Sequence, residues 1–220
     1  MNTRFLPLIV LTVFLLPIIS HAYNPTLNST IVPYEPQIID STISNQAEYL
    51  GLLAGDPHMY EFTIGETATL TLRVSQLATD TPIPFSLIAV RENTQNAGVV
   101  EVGRLRAEDI TWEEKRDGGL GLTLAHSSVF ETEIGPGVYR VEVSTPENAG
   151  AYMLTVGTLE VPAGYFKTIA DVRMVQKFFG ISIFGMLLST YVLYPLGILV
   201  LIGLFYYTWR NRTRIQKYAA

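Results

Sequence analysis

The side chains best suited to chemistry gather in one stretch. Glu108, Asp109, Glu113, Glu114 and Asp117 surround Trp112. Two carboxylates beside an aromatic ring suit glycosidic work, one acid protonating the leaving oxygen while the other acts as base or nucleophile. The same oxygens suit calcium. Lys115 and Arg116 interrupt the set, no Asp-x-Asp-x-Asp-Gly pattern is present, and the stretch reads as a solvated loop. Histidine is scarce: His21, His58 and His126 stand far apart, with no His-x-x-x-His spacing. Cysteine is absent, which removes thiol catalysis and Cys-type zinc sites. Ser127 and Ser128 do not sit in a Gly-x-Ser-x-Gly elbow. The expectation is a chain without cofactor, metal or catalytic constellation, and therefore not an enzyme.

The elements around these residues follow a period of two. Tyr60, Phe62 and Ile64 alternate with Glu61 and Thr63, and Leu70, Leu72 and Val74 with Thr71 and Arg73. The same alternation runs through Tyr139–Val143 and Tyr152–Val156. It sends one face of each strand to a core and the other to solvent. Turn signals at Gly65, Gly118-Gly119, Gly135-Pro136-Gly137 and Asn148-Ala149-Gly150 separate the runs. Phe85–Val90, Val99–Leu105, Leu120–Leu124 and Ser128–Ile134 are further strand candidates. About eight short strands so spaced predict an all-β, antiparallel, jelly-roll-like β-sandwich over residues 48–160. Residues 23–47, broken by Pro25, Pro33 and Pro36, read as an extended leader: a flexible linker, or a segment lying along a partner, for which Ile31, Val32, Ile38 and Ile39 are apolar enough to dock.

Ala54–Thr63, with a Gly-Asp followed by a Tyr-x-Phe strand, resembles the opening of bacterial pre-peptidase C-terminal domains. Gly135–Val143 is similar to that family's Pro-Gly-x-Tyr hairpin strand, and Gly150–Val156 to its closing Tyr-x-Leu-x-Val strand. The resemblance covers roughly residues 50–158. It implies a small β-sandwich appended to other proteins as a binding or secretion-linked module. Pro57-His58 stand where an acidic residue often recurs in the family, which weakens any carry-over of cation binding.

Beyond the sandwich the pattern changes twice. Phe166, Ile169, Val172, Val175 and Phe179 recur at three- and four-residue steps, predicting an amphipathic approach helix over 163–177. Phe178–Thr208 then carries no charge, and Arg210, Arg212, Arg214 and Lys217 follow. This predicts a transmembrane helix over 178–209, with its core span at 187–209, a kink at Pro195 and a basic cytoplasmic tail at 210–220 suited to anionic lipid. Tyr206, Tyr207 and Trp209 form an interfacial belt. Gly185 and Ser189, with Gly180 and Gly197, read as close-approach points for a neighbouring helix in lipid. Residues 1–22 read as a signal peptide, with Arg4 before an apolar run and Ser20-His21-Ala22 as a small-x-small cleavage site.

Charge divides the same way. Residues 23–165 hold 7 Lys and Arg against 19 Asp and Glu, a net of −12, while residues 166–220 carry a net of +6. A domain this acidic does not bind nucleic acid through its field. The expected protein is a single-pass membrane protein of a bacterial inner membrane, its sandwich periplasmic and its C-terminus cytoplasmic. Its expected role is a non-enzymatic accessory or assembly subunit that grips an integral membrane partner through the stem and the sandwich, in contact with the lipid bilayer. The alternative is a membrane-tethered module binding carbohydrate, peptide or a cation. The layout also resembles that of eukaryotic cargo receptors, whose paired cysteines and long coiled coil it lacks.

Overall fold

Period-two alternation becomes two packed sheets in the computed structural model, which describes residues 23–28, 32–39, 42–93 and 98–211. The signal peptide and the tail residues Arg212, Arg214 and Lys217 lie outside the described residues. Among the described residues twelve strands precede the stem: β1 (Pro25–Leu27), β2 (Pro36–Ile38), β3 (Ala47–Ala54), β4 (His58–Ile64), β5 (Ala68–Leu77), β6 (Ser86–Asn93), β7 (Gly98–Leu105), β8 (Glu113–Asp117), β9 (Leu122–His126), β10 (Phe130–Ile134), β11 (Gly137–Ser144) and β12 (Ala149–Val156). One sheet runs β1-β3-β12-β5-β9-β8, with β10 also paired to β5; the other runs β2-β4-β11-β6-β7. We call them the seven-stranded and five-stranded sheets.

The predicted alternations form the core between them. Tyr60, Leu70, Val74, Phe85, Val141, Val143, Tyr152, Leu154 and Val156 are wholly buried there. Each aliphatic or aromatic side chain so buried contributes about 1.5–3 kcal/mol. The Tyr139 hydroxyl donates to the Gly135 carbonyl at 2.7 Å and pins the turn that enters β11. A buried hydroxyl chain crosses the core, with Tyr60 Oη 2.8 Å from Tyr152 Oη and Tyr152 Oη 2.8 Å from His58 Nδ1. Burial pushes the Tyr60 hydroxyl up to about 12, raises that of Tyr152 as well, and lowers the His58 imidazole.

Three expectations need correction. The leader is not a free linker: β1 and β2 add to β3 and β4 as parallel edge strands, so the sheets are mixed rather than purely antiparallel. The acidic stretch is not a loop, because Glu113–Asp117 forms β8 on β9. The stem is not one helix. Helix α1 (Tyr165–Phe178) stops, a 3-10 segment spans Ile183–Leu188, and helix α2 begins at Thr190 and runs to Arg210.

The break has a local cause. Gly180 takes φ +74°, a left-handed conformation that costs glycine little. The amides of Gly180 and Ile181 then bond the carbonyls of Lys177 and Gln176, at 3.1 and 2.8 Å. This pair of bonds is a Schellman closure, which turns the chain out of the helix. Pro195, by contrast, lies inside α2 without ending it.

Candidate functional site

The outer face of the seven-stranded sheet is half apolar and half polar. Leu50, Leu122, Leu124 and Met153 form the apolar half, and α1 lies on it through Val172 and Val175, both fully buried. Tyr23, Phe178, Phe179, Ile181, Met186 and Tyr191 close the rim of this second cluster. The approach helix therefore docks on the sandwich. Its buried face is Thr168, Asp171, Val172, Val175 and Gln176, and Phe166, expected on the apolar stripe, is 85 % exposed.

The β8–β9 turn is where sheet and stem join. Three successive carbonyls of this turn each accept a hydrogen bond from the stem. Gly118 accepts from the Thr190 amide at 2.9 Å. Gly119 accepts from Ser189 Oγ at 2.6 Å, and Leu120 from Gln176 Nε2 at 2.7 Å. Gln176 Nε2 also donates to the Gly185 carbonyl at 3.1 Å, so one buried amide bridges the turn, α1 and the 3-10 segment. The turn is shaped for this approach. Gly121 has φ +68°, and a Cβ there would lie 2.7 Å from the Leu188 carbonyl carbon. Asp117 braces the turn from inside, its Oδ1 accepting from the Leu120 amide at 2.9 Å and the Tyr23 hydroxyl at 2.6 Å.

Pro195 supplies a further tie. Its missing N–H cannot make the usual helical bond to the carbonyl four residues earlier, that of Tyr191. The Tyr165 hydroxyl, on the first residue of α1, donates to that carbonyl at 2.7 Å.

These contacts relocate two residues expected to face a helix in lipid. Gly185 is buried in the 3-10 segment beside Ile181, and Ser189 is fully buried, capping α2 by accepting from the Tyr191 amide at 3.3 Å. Gly180 is the turn residue that ends α1. Of the four only Gly197 lies on α2, with open space around it. Tyr206, Tyr207, Trp209 and Arg210 occupy the last turns of α2, all exposed.

The polar half of the outer face lines a groove of about 600 Å³ beside the head of α2. Glu48, Arg73, Lys115, Asp117, His126 and Tyr191 are among its walls. Glu48 is 1 % exposed, and its carboxylate accepts from the Asn24 amide at 2.8 Å and Gln46 Nε2 at 2.7 Å. Burial raises its pKa, and the Asp117 and Asp171 charges add to the rise. Burial, then the Asp117 charge, likewise raises the Tyr23 hydroxyl. His126 is held below its ordinary range, first by burial and then by Arg73. Its Nδ1 lies 2.7 Å from Ser75 Oγ, a pair that sequence spacing does not reveal. Ser75 is fully buried, so its hydroxyl has no path to a substrate. Glu113 and Glu114 are neighbours on a strand, where successive side chains leave opposite faces. Neither lines the groove. Among the described residues no group of three His, Asp or Glu gathers as a metal site.

No protein-family model matches the chain, and no curated protein matches it. Among solved structures it is similar to the pre-peptidase C-terminal domain of collagenase from Bacillus anthracis, at 17 % identity and a TM-score of 0.35. That match covers 58 % of this chain and 98 % of the other. It is the type of domain that Ala54–Thr63, Gly135–Val143 and Gly150–Val156 resemble, while the sandwich itself stands on the strand pairing described above.

Proposed function

We propose that this chain is a single-pass accessory subunit of a larger membrane complex. Its sandwich lies outside the cytoplasm, held in a fixed posture over the bilayer, and it does no chemistry of its own. The observation that carries this reading is the junction: three turn carbonyls and the Tyr165–Tyr191 bond fasten the sandwich to the head of α2. A domain so fastened presents its surface at a fixed height over the head of α2, as a subunit docking on a membrane partner requires. Helix α2 is long and apolar enough to cross a membrane, and none of its residues is buried within the chain. That leaves the surface of α2 beyond its first turn for lipid and a partner helix, with Gly197 an open point of close approach. Arg210 and the basic residues after it favour a cytoplasmic C-terminus, in a bacterium the inner membrane with the sandwich in the periplasm. Purification in mild detergent tests the reading. The chain is expected to migrate with an integral membrane protein and Gly197→Leu to weaken that association; a chain that always migrates alone contradicts it.

A second reading, a tethered binding module, is favoured by the groove, whose mixed charge at Arg73, Lys115 and Asp117 suits a small zwitterion or peptide end. A melting-temperature rise of the full chain with a peptide, glycan or cation panel, lost in Arg73→Ala, would support it.

A further inference from the structure

The 3-10 segment Ile183–Leu188 has two faces. Gly185 is buried and Met186 packs under α1. Ile183, Phe184, Leu187 and Leu188 turn away from the sandwich and are 66, 76, 47 and 55 % exposed. No charged residue lies between Lys177 and Arg210. An apolar shelf of this kind marks an interaction surface.

Its position says what covers it. Ser189, the residue after the shelf, is the N-cap of α2. The 21 residues of α2 rise about 32 Å, close to the ~30 Å of a hydrocarbon core. The helix thus accounts for the whole crossing, and Thr190 falls at the boundary on the sandwich side. Residues joined directly to that boundary, and fixed to it by the Ser189 and Thr190 bonds to the β8–β9 turn, share its depth. Arg173 reaches the start of the shelf, donating from Nη1 to the Ile181 carbonyl at 3.0 Å and the Ser182 carbonyl at 3.2 Å. A guanidinium beside an exposed apolar segment is suited to lipid phosphates. We propose that the shelf is a second anchor, lying in the plane of the outer leaflet with Ile183, Phe184, Leu187 and Leu188 among the upper acyl chains of phospholipid. The inference rests on the reading that α2 crosses the bilayer.

The absence of cysteine allows a clean test. Phe184→Cys and Leu201→Cys, both at exposed positions, each carry an environment-sensitive fluorophore on the full chain in phosphatidylcholine vesicles. Lipids brominated near the headgroup or near the chain end act as quenchers. The label at 184 is expected to lose about half its emission to the shallow quencher and little to the deep one, as an interfacial group does. The label at 201 is expected to respond to the deep one. Leu187→Cys repeats the shelf measurement should the first variant misfold. Quenching at 201 without quenching at 184 or 187 overturns the shelf and leaves the crossing intact. No quenching at any of the three overturns the crossing and the shelf with it.

Discussion

Gln176 carries more of the junction than any other single residue. Its Nε2 serves two carbonyls, of Leu120 and Gly185, and the side chain is fully buried, with Oε1 unpartnered among the described residues. Leucine fills similar volume but removes the Nε2 donor from the Leu120 carbonyl and from the Gly185 carbonyl, and an unsatisfied buried polar group costs about 1–3 kcal/mol. Gln176→Leu is therefore expected to destabilise the chain by about 2 kcal/mol in thermal unfolding of the detergent-solubilised protein. Glu48 sets a pH dependence of known sign. Its pKa is raised in the folded state, so the folded state holds the proton more tightly than the unfolded one. Its contribution is most favourable at low pH and declines as pH rises from the ordinary glutamate range through the raised value. The decline amounts to about 1.4 kcal/mol for each tenfold by which folding tightens proton binding. Glu48→Gln is expected to remove that decline, so that subtracting the stability profiles of the two proteins isolates it. A difference profile flat across acid pH would show that burial does not penalise this carboxylate.

At the scale of elements, Tyr165 and Pro195 form a pair. Tyr165→Phe removes the hydroxyl that donates to the Tyr191 carbonyl and is expected to cost about 1 kcal/mol. In a Pro195→Ala background the restored helical N–H serves that carbonyl, and the same substitution is expected to cost less, which a double-mutant cycle of unfolding free energies measures. The strands carrying alternating apolar residues, β4, β5, β11 and β12, are legible in the sequence because one face of each must enter the core. β8 is not, since Glu113–Asp117 is charged throughout and pairs only because β9 offers it an edge. β1 and β2 are three-residue strands beginning at prolines, and a tertiary neighbour rather than local propensity makes them strands. The break in the stem is hidden because residues on both sides of it are apolar, leaving Gly180 as the one local signal. Gly185 and Ser189 illustrate the same ambiguity: small residues four apart serve a close approach to a sheet turn as well as to a helix in lipid. The groove residues Glu48, Arg73 and His126 come from three strands far apart in sequence, so no motif announces them.

For the whole molecule the consequence of the junction is rigidity between a sandwich and a helix able to cross a membrane. A domain on a linker samples many orientations, whereas one fastened at three successive carbonyls and at Tyr165 holds a single one. Gly121 is the hinge point where this would fail. Its left-handed backbone and the closeness of Leu188 leave no room for a Cβ, so Gly121→Ala is expected to release the stem while the core strands stay folded. Greater hydrogen exchange confined to 176–193 would register that release. The most direct test of the account is a distance. Spin labels at Glu66→Cys, on an exposed turn of the sandwich, and Leu193→Cys, near the head of α2, report their separation in lipid nanodiscs by pulsed electron resonance. A single narrow distance distribution, broadened in Gly121→Ala, is the predicted result. A broad distribution in the unaltered junction would contradict the account.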